Sequence, residues 1–268
     1  MTFAIIAAGE GSRLAQEGVA LPKPLVRLNG TPMIDRLIQI FTHNGADKIV
    51  IIINNESSIV KEHLQRKQQS SEVPIELIIK STPSSMHSFY ELSKKISDEK
   101  FCLTTVDTIF REKEFAAFIE EFKQTQLDGY MAVTDFIDDE KPLYISTDAR
   151  LNITGFHDTA NPECKFISGG IYCLTQAAIR TLEGCMEKGI SRMRNFQRQL
   201  VADGLARAGG HYAQRVPARE QGVDQGFLPV AKRFMAKVLL EQPDLFHVLL
   251  HLPVDAVPWC YYNTNHAR

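Results

Sequence analysis

At 268 residues, with 44% apolar and 23% charged side chains, the chain has the length for one sizeable α/β core and the composition of a soluble globular protein. A formal net charge of -2 supplies no attraction for nucleic acid or an acidic membrane surface, which counts against a polynucleotide-binding role. The five cysteines (Cys102, Cys164, Cys173, Cys185, Cys260) are odd in number and never spaced as Cys-x-x-Cys, so they read as reduced thiols rather than a disulfide frame or zinc site.

In chain order, Ala4–Ala8 is an unbroken apolar run, as expected of a strand covered on both faces. Asn29-Gly30 marks a turn, and Pro32 suits the first turn of a helix. Met33, Ile34, Leu37, Ile38 and Phe41 then recur at helical spacing, and Gly45 closes that helix. Lys48–Ile53 reads as a second buried strand, Ser57–Gln69 as a polar-faced helix, Ile75–Ile79 as a third strand and Met86–Ile96 as a helix. Phe101–Thr105 forms a fourth strand. It is followed by a helix over Glu112–Thr125, striped by Phe115, Phe118, Ile119 and Phe122, and by a fifth strand over Gly129–Thr134. Such alternation predicts an α/β, Rossmann-like, doubly wound and mostly parallel sheet with helices on both faces. Ligands on such sheets sit at the carboxyl ends of the strands, so the loops after Ala8, Ile53, Ile79 and Thr105 are the ones to search.

The second half is less regular. Leu143–Ser146 and Leu151–Phe156 predict short strands of a small additional β element, and Ile171–Leu174 another strand. Gln176–Leu182 and Met193–Ala202 read as helices, and Tyr212–Val216 as a strand. With no internal repeat or low-complexity linker, a single domain over 1–238 is expected, with a C-terminal extension, 239–268, of unassigned structure. No basic stretch precedes the first apolar run, and no segment approaches the roughly 20 apolar residues of a membrane span. A cytoplasmic location is the expectation.

The chemistry concentrates near the start. In "AAGEGSRL", Gly9 and Gly11 let backbone N–H groups approach an anion without interference from a Cβ, and Arg13 adds a planar donor fork suited to phosphate oxygens. Lys23 follows, held between Pro22 and Pro24. A dinucleotide fingerprint would need a third glycine where Leu14 stands, and the P-loop pattern is absent. A purely structural turn explains the glycines but not Arg13 and Lys23 together. The eight histidines show no metal-ligand spacing, and no nucleophile elbow is present.

Four stretches, "AAGEGSRL" (Ala7–Leu14), "PKPLVRLNGTPMI" (Pro22–Ile34), "TTVDTIF" (Thr104–Phe110) and "SGGIY" (Ser168–Tyr172), together resemble the nucleotidyltransferases of the sugar-nucleotide pyrophosphorylase type. That group includes the molybdopterin-guanine dinucleotide synthase-like branch. The resemblance implies the nucleotide-diphospho-sugar transferase fold and a Mg2+-dependent transfer of a nucleoside monophosphate from a triphosphate to a small phosphorylated acceptor. In keeping with it, the backbone from Gly9 through Gly11 to Ser12, with Arg13, is expected to hold the β/γ-phosphates and stabilise the departing pyrophosphate, Ala8 to contact the nucleotide and Lys23 to meet the α-phosphate, Arg13 and Lys23 being the catalytic pair. Asp107 is implied as a magnesium ligand, Asp224 in "QGVDQGF" as the second one, Ser84 and Ser85 as nucleotide contacts, and Ser168 and Gly169 as acceptor contacts.

Plainer readings stand beside each of these. Asp107 and the serines, Ser88 included, are also good helix caps, and the glycine pair also suits a bulge. Asn54 and Asn55 are weaker base contacts, with an exposed loop tip as their rival reading. Arg194 and Arg198 share a helical face, with Arg192 nearby, and either meet an acceptor phosphate or form a solvated basic face. The comparable place for the family's Glu-Lys-Pro stretch reads "GFHDTANP", and Lys165 is the nearest substitute. A sugar 1-phosphate is the first acceptor expected; a phosphocholine-like or pterin phosphate is the next. A binding or regulatory protein of the same fold without turnover is the rival from another class.

Overall fold

Residues Thr2–Ala7, every one of them buried, form β1 at the centre of the sheet in a computed structural model that describes residues 1–9, 21–135 and 141–205. Gly11, Ser12, Arg13, Asp224, the Tyr212–Val216 strand and the 239–268 segment lie outside the described residues. β1 pairs in parallel with β4 (Lys48–Ile53) on one side and β6 (Lys100–Thr105) on the other, placing Phe3 opposite both Ile49 and Cys102. β5 (Ile75–Ile79) adds in parallel outside β4.

Alternate β1 side chains enter different cores. Phe3, Ile5 and Ala7 join one cluster, and Ala4 and Ile6 the other. This two-sided covering is why the strands read as unbroken apolar runs. On the first face lie α1 (Met33–His43) and α4 (Glu112–Gln124), where Phe3 stacks on Phe41 at 4.7 Å and Phe41 on Phe115 at 5.6 Å. α2 (Ser58–Ser70) buries only Val60 and Leu64 there, which accounts for its polar sequence. On the other face pack α3 (Ser85–Ser93), α5 (Gln176–Glu187) and α6 (Met193–Ala202). Burying each large apolar side chain stabilises the fold by about 1.5–3 kcal/mol relative to leaving it in water.

Between β1 and α1, β2 (Arg27–Leu28) and β3 (Thr31–Pro32) form a minimal hairpin. Its two central residues, Asn29 and Gly30, both have positive φ (52° and 78°), the requirement of the tight two-residue turn.

The remaining strands form an antiparallel half around β10 (Cys164–Thr175), which lies beside β6. β7 (Gly129–Thr134) and β8 (Tyr144–Thr147) both pair with β10, and β9 (Ile153–His157) lies outside β8. The order is β5-β4-β1-β6-β10-β8-β9, with β7 also on β10.

Three elements differ from the sequence reading. β10 is 12 residues long rather than the four of Ile171–Leu174, because the strand continues through Ser-Gly-Gly. The Gly129–Thr134 strand runs antiparallel to β10 instead of continuing the parallel repeat. α5 reaches Glu187 rather than Leu182, since Cys185 extends the buried stripe of Ala178, Ile179 and Leu182. Among the described residues, no helix is long and apolar enough to cross a membrane.

Candidate functional site

The parallel strands β1 and β6 are neighbours, and their pairing continues past β6, where the Val106 amide donates to the Ile6 carbonyl at 3.0 Å. The chain then turns: the Thr108 amide donates to the Thr105 carbonyl at 3.2 Å, and Asp107 occupies the turn. One carboxylate oxygen of Asp107 accepts the Thr105 hydroxyl at 2.6 Å, and the other accepts Lys23 Nζ at 2.5 Å. Residues 84 apart in sequence therefore meet at the carboxyl edge of the sheet.

Lys23 reaches that edge from a single 3-10 turn, Lys23–Leu25. The Leu25 amide donates to the Pro22 carbonyl at 2.8 Å, and Pro24 and Leu25 are buried, so the turn is anchored beneath the lysine. A lysine rooted this way loses less rotamer entropy on meeting a ligand than one on a free loop. Both members of the pair remain partly exposed, with side-chain exposures of 30% for Lys23 and 18% for Asp107. Ala8 and Gly9 follow β1 on the same edge. Among the described residues, an added side chain at Gly9 would meet nothing within 4 Å, and a glycine backbone lets an anion approach without interference from a Cβ.

The Ser168-Gly169-Gly170 stretch abuts the turn that carries Asp107. Gly170 has φ +79°, and the β10–β7 register shifts between Ser168 and Tyr172, so the glycine pair forms a bulge. The buried Thr104 hydroxyl donates to the Gly170 carbonyl at 3.1 Å, and an added Cβ at Gly170 would lie 3.2 Å from Thr108 Oγ1. At Gly169 the added Cβ would stand 3.0 Å from the Ala132 carbonyl oxygen. Ser168 Oγ lies 3.2 Å from the Tyr172 hydroxyl and accepts from Gln197 Nε2 at 3.5 Å. Burial pushes the Tyr172 phenol up; hydrogen bonds with Ser168 and Gln197 oppose this, and the Asp107 charge adds to it. The phenol keeps its proton at neutral pH.

Other expected residues have different occupations. Ser84 caps α3: its hydroxyl accepts from the His87 amide, lies 2.9 Å from His87 Nδ1 and donates to the Ser191 carbonyl. Ser85 is the first residue of α3 and is half-buried. The Ser88 hydroxyl is buried 2.6 Å from that of Thr82. Asn54 Oδ1 accepts the Ser57 amide at 3.2 Å, and the Asn55 amide donates to Ser81 Oγ at 3.1 Å. Arg194 and Arg198 both engage Asp158, the latter at 2.7 Å, and Arg198 Nε also donates to the Phe156 carbonyl at 3.1 Å. These contacts tie α6 to the β9 end, and both arginines remain partly exposed, at 31% and 34%. Hydrogen bonds from Arg198 and Arg194 hold the Asp158 carboxyl below the usual carboxylate range. Lys165 is exposed. A surface cavity of 360 Å³ along α5 and α6, lined in part by Arg180, Lys188 and Asp203, includes none of the site residues.

Thr105, Thr108 and Gln197 also contact this candidate site, and sequence reasoning assigned none of them a role. The threonines flank Asp107 in "TTVDTIF", a signal in plain view. Gln197, only 2% exposed, reads from sequence as an ordinary polar helix position.

A magnesium ion needs few protein ligands, because phosphates and waters complete its octahedron. Asp107 fits that demand: it is a hard oxygen donor at the sheet edge, partly open to solvent and already facing a cation. Among the described residues there is no cluster of three or more His, Cys, Asp or Glu side chains that would make a dedicated metal cage.

The family model described as nucleotidyl transferase matches residues 3–212. Mannose-1-phosphate guanyltransferase from Aspergillus oryzae is 29% identical over 123 residues, 44% of this chain and 34% of that protein. Glucose-1-phosphate cytidylyltransferase from Salmonella typhimurium is 29% identical over 63 residues, 24% of each chain. The match thus spans about a third or less of these curated relatives. Among solved structures, the inositol-1-phosphate CTP transferase from T. maritima superposes with a TM-score of 0.65 at 16% identity, covering 77% of this chain and 84% of that one. A UDP-glucose pyrophosphorylase complexed with UDP-glucose gives 0.61 at 14% identity, covering 78% and 89%. These likenesses establish the nucleotide-diphospho-sugar transferase type of fold.

Proposed function

Because the chain belongs to the nucleotidyl transferase family, we propose that it joins a nucleoside monophosphate, taken from a triphosphate, to a small phosphorylated acceptor and releases pyrophosphate. The observation that carries this reading is the Lys23–Asp107 pair at the joined ends of β1 and β6, beside the Gly169-Gly170 bulge. In the reaction an acceptor phosphate oxygen attacks the α-phosphorus, a new P–O bond forms, and the bond to the pyrophosphate oxygen breaks. Little covalent work falls to the protein; placement and charge neutralisation dominate.

Lys23 supplies a fixed positive charge where the α-phosphate gathers negative charge in the transition state. Asp107 would hold Mg2+, whose contribution when bound is to neutralise the triphosphate oxygens. Gly9 offers open backbone to the polyphosphate, and Arg13, Gly11 and Ser12 belong to the same proposed cradle. Ser168 and Gly169 face the acceptor, and Asp224 is the proposed second metal ligand.

A sugar 1-phosphate is the favoured acceptor, in keeping with the names of the mannose- and glucose-1-phosphate enzymes that the chain resembles. The test is pyrophosphate release from ATP, CTP, GTP and UTP, each with Mg2+ and a panel of sugar 1-phosphates, inositol 1-phosphate and phosphocholine. Turnover with one pair, abolished by EDTA and restored by Mg2+, is the expected result. Tight triphosphate binding with no product across the panel would establish the non-catalytic binding protein instead.

A further inference from the structure

Asp107 presents two carboxylate oxygens to two different groups, and the threonine that ends β6 selects which oxygen faces which. The Thr105 hydroxyl lies 2.6 Å from Asp107 Oδ1 and 3.0 Å from Thr108 Oγ1. An ionised carboxylate only accepts hydrogen bonds, and a hydroxyl has one proton to give. The Thr105 proton therefore points at Asp107, and the Thr108 hydroxyl must donate to Thr105. The result is a one-way relay from Thr108 through Thr105 to Oδ1. Thr108 is itself 2% exposed and packed beneath the Gly170 bulge, so the relay is rooted in the fold.

We propose that Thr105 is a positioning residue for the reaction: its hydroxyl locks the Asp107 carboxylate so that Oδ2, the oxygen now paired with Lys23, is the one presented to a divalent ion. This rests on the proposed nucleotidyl transfer. A β-branched residue at a strand end has few χ1 states, so the hydroxyl is fixed before any ligand arrives. When a phosphate claims Lys23, Oδ2 is released without rotation of the carboxylate. With no hydroxyl at 105, this hold on Oδ1 is lost, and part of the binding energy goes into orienting the carboxylate. Partners that orient a metal ligand typically change affinity or activity by about 10- to 100-fold.

The test compares Thr105→Val, which keeps the branched shape without the hydroxyl, with Thr105→Ser, which keeps the hydroxyl. Thr105→Ala carries the test if the valine variant fails to fold, as judged by thermal melting. On the substrate pair that the wild type turns over, Thr105→Val should raise the Mg2+ concentration for half-maximal rate about tenfold and leave the acceptor KM alone, while Thr105→Ser stays within about twofold of wild type. A second readout needs no turnover: Mn2+ titrations of the full chain, followed by electron paramagnetic resonance, with ATP, CTP, GTP or UTP present. Weaker Mn2+ binding in Thr105→Val, rescued in Thr105→Ser, supports the assignment even if no acceptor is turned over, an outcome that would count against the transferase reading alone. Equal Mn2+ binding in all variants, equal impairment of the valine and serine variants, or no Mn2+ binding by the wild type would overturn it.

Discussion

The two halves of the sheet do different work with different kinds of backbone. The parallel half, β5-β4-β1-β6, packs helices on both faces and carries its proposed functional groups on strand-end loops: Gly9 after β1 and Asp107 after β6. The antiparallel half delivers Ser168 and Gly169 from within a strand, by breaking the β10–β7 register. A loop is free to place a charge, whereas a bulge places a backbone. The difference teaches that the half proposed to handle polyphosphate and metal is built for side-chain charge, and the half proposed to receive the acceptor is built for close approach.

The comparison breaks first where the halves are bolted together. Phe89 on α3 lies 5.9 Å from Phe101 of β6 and makes an edge contact at 5.5 Å with Phe196 of α6. It is fully buried. Phe89→Ala should cost about 3–5 kcal/mol of stability, read as a lower urea midpoint. An unchanged midpoint would mean that the halves hold together without this contact. Next comes the charge of the parallel half: Lys23→Ala should lower kcat by about 100- to 1,000-fold, equivalent to about 2.7–4 kcal/mol of barrier. The urea midpoint should barely move, because Lys23 is partly exposed and anchored through its neighbours. Unchanged turnover would remove Lys23 from the proposed mechanism.

How far each half was legible in the sequence follows from the same contrast. Lys48–Ile53 was readable to the residue because two-sided burial writes itself as a nearly continuous apolar run, and the edge strand Ile75–Ile79, only partly buried, because its isoleucines favour a strand. Asp107 and Lys23 were readable from motif, and the structure brings them to 2.5 Å. β10 was only half legible: its Ser-Gly-Gly interrupts the apolar pattern at the very place where the bulge interrupts the pairing. Gln197 was invisible for another reason, and Thr105, though in plain view beside Asp107, gave no sign of the partner its hydroxyl would find. Whether a polar side chain is buried and occupied depends on a partner set by the fold, here Ser168 for Gln197 and Asp107 for Thr105. For Arg194 and Arg198 the shared helical face was legible, but their partner was not: both engage Asp158, which is distant in sequence.

A milder change sharpens the acceptor side. At φ +79° a side chain strains the backbone, and at Gly170 it would also crowd Thr108 Oγ1 at 3.2 Å. Gly170→Ala should therefore cost about 1–2 kcal/mol in urea unfolding. If the bulge shapes the acceptor site, the acceptor KM should rise in the same variant while the triphosphate KM holds. A rise in both would mean that the Thr108 turn, and with it Asp107, had moved.

The smallest expected effect concerns acid. Asp203, at the end of α6, accepts the Thr181 hydroxyl at 2.6 Å and Gln199 Nε2 at 2.7 Å, tying α6 to α5. These hydrogen bonds, from Thr181 first and Gln199 second, hold its carboxyl below the ordinary range. A carboxyl whose folded pKa lies below its unfolded value contributes stability that is present above the unfolded pKa, about 3.9 for aspartate, and is lost as pH falls through the folded one. The contribution is small, because Asp203 sits in an exposed position where solvent screens it. Asp203→Asn should leave a slightly smaller drop in urea midpoint between neutral pH and about pH 3 than the wild type shows. An identical drop in both proteins would mean that the α5–α6 tie contributes nothing to acid sensitivity, leaving that sensitivity to the other carboxylates held low, Asp158 among them.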